Sequence, residues 1–175
     1  MELAASRSHP EQRPRGITTP AILLGVGLGG FVDGIVLHQI LQWHHMLTAI
    51  DDYPATTVAG LEVNTLWDGV FHALSYVCVA VGLFWVWARA RWGGVVWTWR
   101  HLLGWLFVGW GIFNLAEGVI DHHILQLHHV RSGPDELAYD LAFLAIGLIL
   151  VVTGLVLAKS DGPSDMSLRE SPADS

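Results

Sequence analysis

The segment Asp-Gly-Ile-Val-Leu-His-Gln-Ile-Leu-Gln-Trp-His-His at positions 33–45 recurs as Glu-Gly-Val-Ile-Asp-His-His-Ile-Leu-Gln-Leu-His-His at positions 117–129. The two copies align without a gap and share an acid, the following glycine, a histidine five positions after the acid and a closing pair of histidines. A match of this length is too long for chance. The sequence therefore predicts two tandem copies of one structural unit.

The sequence around these segments is strongly apolar. Hydrophobic residues make up 52% of the 175 residues and charged residues 14%, against roughly 25% charged in soluble domains. Four apolar runs are each long enough to cross a bilayer as a helix of about 20 residues. The predicted helices are Thr19 to Trp43, Thr65 to Ala88, His101 to Leu127 and Leu137 to Ala158. The lipid bilayer is thus the expected partner, and the scarcity of Lys and Arg excludes nucleic acid.

The predicted fold is all-α: an integral membrane four-helix bundle built from two-helix repeats at about 19–88 and 101–158. The transmembrane domain covers 19–158, and the polar segments 1–18 and 159–175 are predicted to be disordered tails. Arg and Lys precede the first helix, lie between the second and third, and follow the fourth, which predicts cytoplasmic termini. Since each repeat has two helices, a pseudo-twofold axis along the membrane normal is expected to relate the copies.

The repeated motifs, together with Trp67-Asp68-Gly69 and His72, resemble those of a bacterial membrane-protein family catalogued as domain of unknown function 2243. The resemblance covers roughly Thr18 to Ala158. It implies a four-helix membrane fold in the bacterial plasma membrane, and it implies no mechanism. Expectations about function therefore come from the residues themselves.

Eight of the ten histidines fall on the predicted extracytoplasmic half, together with several acids. Ionisable residues within a membrane are costly and face the bundle interior, so they indicate a functional site. Imidazole and carboxylate are suitable ligands for zinc, iron or copper. The predicted metal ligands are His38, His72 and His122, completed or oriented by Asp68 or Glu117.

A second group of residues is expected to support these ligands, because a ligating histidine usually donates its other N–H to a carboxylate or amide. In an α-helix, His38, Gln42 and His45 would share one stripe, while Asp33 and His44, eleven residues apart, would share another. The histidine pairs at the ends of the motifs are expected to form a separate site through which an ion enters. The whole supporting group is Asp33, Gln42, His44, His45, Asp121, Gln126, His128 and His129.

Several functions fit this pattern. A metal-dependent membrane enzyme would use the ion to polarise water or a substrate. A b-type haem electron-transfer protein would place His38 and His122 on opposite sides of the haem, although nearby carboxylates disfavour a haem pocket. A metal-ion or proton transporter needs ionisable residues along the other halves of the helices, where few occur. A structural His/Asp hydrogen-bond network without metal is the remaining alternative.

Overall fold

The structure, a computed structural model, describes residues 16–91 and 98–159. Helix α1 (Thr18–Asp33) continues as a first π segment (Gly34–Ile40), and α3 (Trp99–Glu117) continues as a second π segment (Gly118–Ile124). Helices α2 (Val58–Arg91) and α4 (Glu136–Lys159) follow them in the chain. The described part of the chain is all-α and contains no strand. Apart from a few residues at their inner ends, the predicted tails 1–18 and 159–175 lie outside the described residues.

All four helical stretches are long and apolar enough to span a membrane, which confirms the predicted number of crossings. The spans are Thr18–Ile40, Val58–Arg91, Trp99–Ile124 and Glu136–Lys159. Helix α2 begins earlier than the apolar pattern predicted, at Val58 instead of Thr65. Its first turns are stabilised by hydrogen bonds, because Thr57 Oγ1 accepts the Gly60 N–H at 3.1 Å and the Asn64 amide donates to Gly60 O at 3.0 Å.

Helices α1 and α3 form the centre of the molecule, with α2 packed on α1 and α4 packed on α3. Within the described ranges, α2 and α4 have no Cα atoms within 8 Å of each other, so the helices form an open row. Glycines permit the close approach of α1 and α3: a Cβ atom on Gly25 would overlap Leu106 O, and one on Gly109 would overlap Ile22 O. Small residues at such crossings allow helix backbones to touch.

The two central helices end in the same unusual way. In a π-helix the amide bonds to the carbonyl five residues earlier, as Leu41 N–H does to Val36 O at 2.8 Å and Leu125 N–H does to Ile120 O at 2.7 Å. The next residues, Gln42 and Gln126, have left-handed φ values of 51° and 52° and end the helices. The π segment places residues that are five positions apart on one face of the helix. The left-handed residue after it turns the chain back over the end of the helix.

Candidate metal centre

Six buried side chains gather in two groups of three where α1 and α3 end. The first triad is Asp33, His38 and His44, and the second triad is Glu117, His122 and His128. In each triad one ligand-capable atom per residue lies within 4.8 Å of the other two. All six residues have exposed fractions between 0% and 5%. Because acid and first histidine are five residues apart, the π segments place them side by side.

The first triad is oriented by groups from both halves of the chain. His38 Nδ1 lies 2.9 Å from Asp68 Oδ1 on α2. His44 Nδ1 donates to the carbonyl oxygen of Val130 at 2.8 Å. A carbonyl only accepts, so the proton of neutral His44 resides on Nδ1 and the lone pair of Nε2 is left available. The hydrogen bond to Val130 therefore fixes both the orientation and the tautomer of the His44 ring, and it leaves Nε2 able to coordinate a metal ion.

The second triad has the same kind of support: His122 and His128 lie 84 residues after His38 and His44, and Asp140, 72 residues after Asp68, takes the place of Asp68. His122 Nδ1 lies 3.3 Å from Asp140 Oδ1, an ion-pair distance without hydrogen-bond geometry. His128 Nδ1 donates to Met46 O at 3.2 Å. Val130 and Met46, which supply the two carbonyls, are themselves equivalent positions in the repeated sequence. Each half of the chain therefore holds one imidazole of the other half.

Asp68 and Asp140 each join two histidines. Beyond the triad rings, His45 Nδ1 lies 2.6 Å from Asp68 Oδ2, and His129 Nδ1 lies 2.7 Å from Asp140 Oδ2. Asp68 also accepts the Met46 N–H at 3.0 Å. Both oxygens of Asp68 are thus occupied by donors. This places Asp68 behind the imidazoles, which is the orienting one of the two roles that the sequence analysis left open for it.

The inward-facing atoms of the triads have no such partners. Among the described residues, nine buried side-chain nitrogen or oxygen atoms have no hydrogen-bond partner, and eight of them belong to the six triad residues. His38 Nε2 lies 3.1 Å from Asp33 Oδ2, and His128 Nε2 lies 3.7 Å from Glu117 Oε1, in both cases without hydrogen-bond geometry. Buried polar groups are normally satisfied. Of the eight, His122 Nδ1 faces Asp140, and the other seven are an exception to this rule.

The four triad imidazoles pack directly against one another. Ring centroids are 4.4 Å apart for His38 and His44 and 4.9 Å apart for His122 and His128. Between the triads, the His44 and His128 rings are stacked at 4.6 Å with an interplanar angle of 8°. The two triads are therefore immediate neighbours.

His44 and His128 lie in the connections beyond the membrane-spanning helices. Burial lowers the pKa of His44 to about 4, and the neighbouring His38 ring adds to the effect. Burial and the nearby rings of His44 and His122 also hold the pKa of His128 well below its usual range. Both imidazoles are therefore neutral near pH 7, which is the form that coordinates a metal ion.

Several residues named in the sequence analysis lie elsewhere. His72 is half-buried, and its Nδ1 donates to Asp68 O of its own helix at 2.7 Å, outside both triads. Gln42 and Gln126 have exposed side chains and contribute the left-handed turns instead of supporting an imidazole. Asp121 is half-buried and outside the triads. Conversely, Asp33, His44 and His128, expected to be supporting residues, lie inside the triads.

Comparison with known proteins identifies the family of the chain but supplies no mechanism. A family model described as a predicted membrane protein, domain of unknown function 2243, matches residues 20–161. No curated protein and no solved structure matches the chain. The matched region includes all four membrane-spanning helices and both triads. The chain therefore belongs to the family of predicted membrane proteins catalogued as domain of unknown function 2243.

Proposed function

We propose that this membrane protein is a metalloprotein that binds transition-metal ions in its two triads. The observation that carries the proposal is the set of seven buried, unpartnered atoms on the six triad residues that remain when His122 Nδ1, which faces Asp140, is left out. Burying a polar group without a partner costs roughly 2–7 kcal/mol, and burying an unpaired charge costs far more. A cation bound by these atoms removes that cost.

The carboxylates strengthen the argument for a cation. Asp33 and Glu117 lie close enough to hydrogen-bond to each other if one of them is protonated, and neither is paired with Lys or Arg in the described part of the chain. Two like charges held together in a medium of low dielectric repel strongly. A divalent ion between them converts that repulsion into coordination.

The donor set favours particular metals. Two imidazoles and one carboxylate, with further coordination positions open, form the usual site of non-haem iron, and the same ligands also accept zinc or copper. Three protein ligands leave room for water or a substrate on the ion. The arrangement therefore suits a metal-dependent membrane enzyme in which the bound ion polarises or activates a small molecule.

The packing disfavours the other functions. A haem bound between His38 and His122 needs a flat, open slot, yet the rings of His44 and His128 are stacked within the same space. Passage of ions along α1 and α3 is disfavoured because Gly25 and Gly109 bring these backbones into contact. A purely structural network would pair its polar atoms, and the triads leave theirs unpaired.

The charge distribution supports an extracytoplasmic position for the centre. Arg89, Arg91 and Arg100 lie at the opposite end of the helices, whereas Arg131 lies at the end that carries the triads. Basic residues in short loops mark the cytoplasmic side. The triads therefore face the outside of the plasma membrane, with both termini in the cytoplasm.

Elemental analysis of detergent-purified protein, combined with its visible spectrum, tests the proposal. We expect stoichiometric transition metal without a haem absorption band, and loss of at least half of that metal in His38→Ala and in His122→Ala. The matched control is His123→Ala, because His123 adjoins His122 in sequence but has an exposed side chain. Metal-free wild-type protein, or equal metal in all three variants, contradicts the proposal.

Replacing Asp68 by Asn tests whether this residue orients the ligands or binds the ion. Because Asp68 contacts His38 and His45 through separate oxygens, we expect Asp68→Asn to weaken metal binding about 10–100-fold without changing the stoichiometry at saturation. Competition with a calibrated chelator measures the affinity. Asp51→Asn, an exposed loop substitution, is expected to leave it unchanged. A lower stoichiometry at saturating metal makes Asp68 a ligand instead.

A further inference from the structure

The geometry points to a dinuclear centre: each triad holds its own metal ion, and the two ions share a space in which a small oxygen anion bridges them. This inference rests on the proposed function and extends it to the number of ions and to the class of their additional ligand. Its alternative is one ion held jointly by the four imidazoles. The two arrangements make different demands on the distances between donor atoms.

The donor atoms divide into two sets. With bonds of about 2.0–2.2 Å, the ligands of one ion lie within roughly 4.4 Å of one another. Each triad approaches this limit by itself, because its three ligand atoms lie within 4.8 Å. In the described residues, the groups whose ligand atoms all lie within 4.8 Å of one another are the two triads, and neither group draws donors from the other. The side chains are therefore arranged for two ions, each with two imidazoles and one carboxylate.

The two sets nevertheless belong to one centre. The stacked rings of His44 and His128 come from different triads. Two further pairs of rings across the boundary have nearly equal separations, with centroids 6.0 Å apart for His38 and His128 and 6.3 Å apart for His44 and His122. Two-metal sites in enzymes hold their ions about 3.5–4 Å apart. Triads whose imidazoles touch are close enough for such a spacing.

The carboxylates lie where bridging ligands are needed. Asp33 belongs to the first triad and Glu117 to the second, and the two carboxyl groups are near neighbours. Both oxygens of Glu117 and Oδ2 of Asp33 are without hydrogen-bond partners. A carboxylate with both oxygens available binds one ion with each. Glu117 thus has the free atoms required to join the two ions.

Charge balance identifies the additional ligand. Two divalent ions carry four positive charges, and among their direct ligands the Asp33 and Glu117 carboxylates neutralise two of them. Asp68 and Asp140 are a further imidazole away, behind His38 and His122. The four imidazoles add none, because a metal-bound histidine is neutral. The remaining charge, enclosed by buried side chains, favours a small anion such as hydroxide, formed when a metal-bound water loses a proton.

Copper(II) is a suitable probe because it binds imidazole sites more tightly than the other divalent first-row ions. Full-length protein in detergent is stripped with a chelator, reloaded with copper(II) and measured by elemental analysis and electron paramagnetic resonance. We expect two ions per chain that are spin-coupled, with a half-field transition and an integrated signal below the total copper. One ion per chain, or two ions with full uncoupled intensity, overturns the dinuclear centre.

Variants separate this inference from the proposed function. His44→Ala and His128→Ala each remove one donor from one triad, so each is expected to retain one ion and to show an uncoupled copper signal. The control His123→Ala is expected to keep the coupled pair. If wild-type protein binds one ion and either substitution removes it, the protein is a metalloprotein but its centre is not dinuclear. If wild-type protein binds no copper, both proposals are wrong. This outcome is measured on wild-type protein alone, so it does not depend on whether the variants fold.

Discussion

Removal of the proposed metal ions will lower the thermal unfolding temperature of the purified protein by roughly 10 °C. A ligand present at about 1,000 times its Kd stabilises the native state by about 4 kcal/mol, and one kcal/mol corresponds to about 2–4 °C in a chain of this size. The loss will be large because Asp33 and Glu117 are both buried and, among the described residues, neither is paired with Lys or Arg. Unfolding followed in detergent, with and without a chelator, measures the shift.

The double variant Asp33→Asn/Glu117→Gln provides the control for this experiment. It retains the shapes of both side chains but removes the two charges that repel each other in the metal-free state. We expect the chelator to leave its unfolding temperature unchanged. A wild-type unfolding temperature that is equally insensitive to the chelator would show that no metal stabilises the fold.

Substitution of Gly109 by Ala will separate the two central helices and disturb both triads. A Cβ atom at Gly109 would overlap the carbonyl oxygen of Ile22 in α1, and a backbone atom has little freedom to move aside. Overpacking of this kind costs about 1–3 kcal/mol and occasionally more. Because α1 and α3 each carry one triad, we also expect reduced metal occupancy. Thermal unfolding and elemental analysis of the same preparation measure the two effects.

Gly69 is the matched control, since a Cβ atom there would have no heavy atom within 4 Å. Alanine is favoured over glycine in helices by about 1 kcal/mol, so Gly69→Ala is expected to be neutral or slightly stabilising and to bind metal normally. The close contact of α1 with α3 would be refuted if Gly109→Ala behaved in the same way as Gly69→Ala.

The membrane architecture was predictable because it depends on composition over long segments. Four apolar runs predicted the four candidate spans to within about three residues at most ends, and the largest difference is the beginning of α2, predicted at Thr65 and found at Val58. Glu62 and Asn64 interrupt the apolar run in these first turns, and the hydrogen bonds of Thr57 and Asn64 that stabilise them do not appear in a hydropathy pattern. The predicted cytoplasmic position of the termini stays a prediction.

The grouping of the site residues was harder to predict because it depends on local backbone geometry. At 3.6 residues per turn, Asp33 and His38 lie about 140° apart around the helix, and a continuous helix carries His44 away from His38. The first π segment and the left-handed Gln42 overcome both separations. The sequence does contain one signal of this grouping, because the acid, the first histidine and the closing pair of histidines have the same spacing in both copies of the motif. It identifies the residues that belong together, but it does not reveal the change of helix type.

The crossed support of His44 by Val130 and of His128 by Met46 has an evolutionary consequence. A shorter ancestral polypeptide with one such motif would lack, within itself, the carbonyl that orients its own imidazole. Two identical copies placed side by side would supply that carbonyl to each other. The repeat and these crossed contacts fit an origin of the present chain by fusion of a homodimer whose subunits oriented each other's imidazoles.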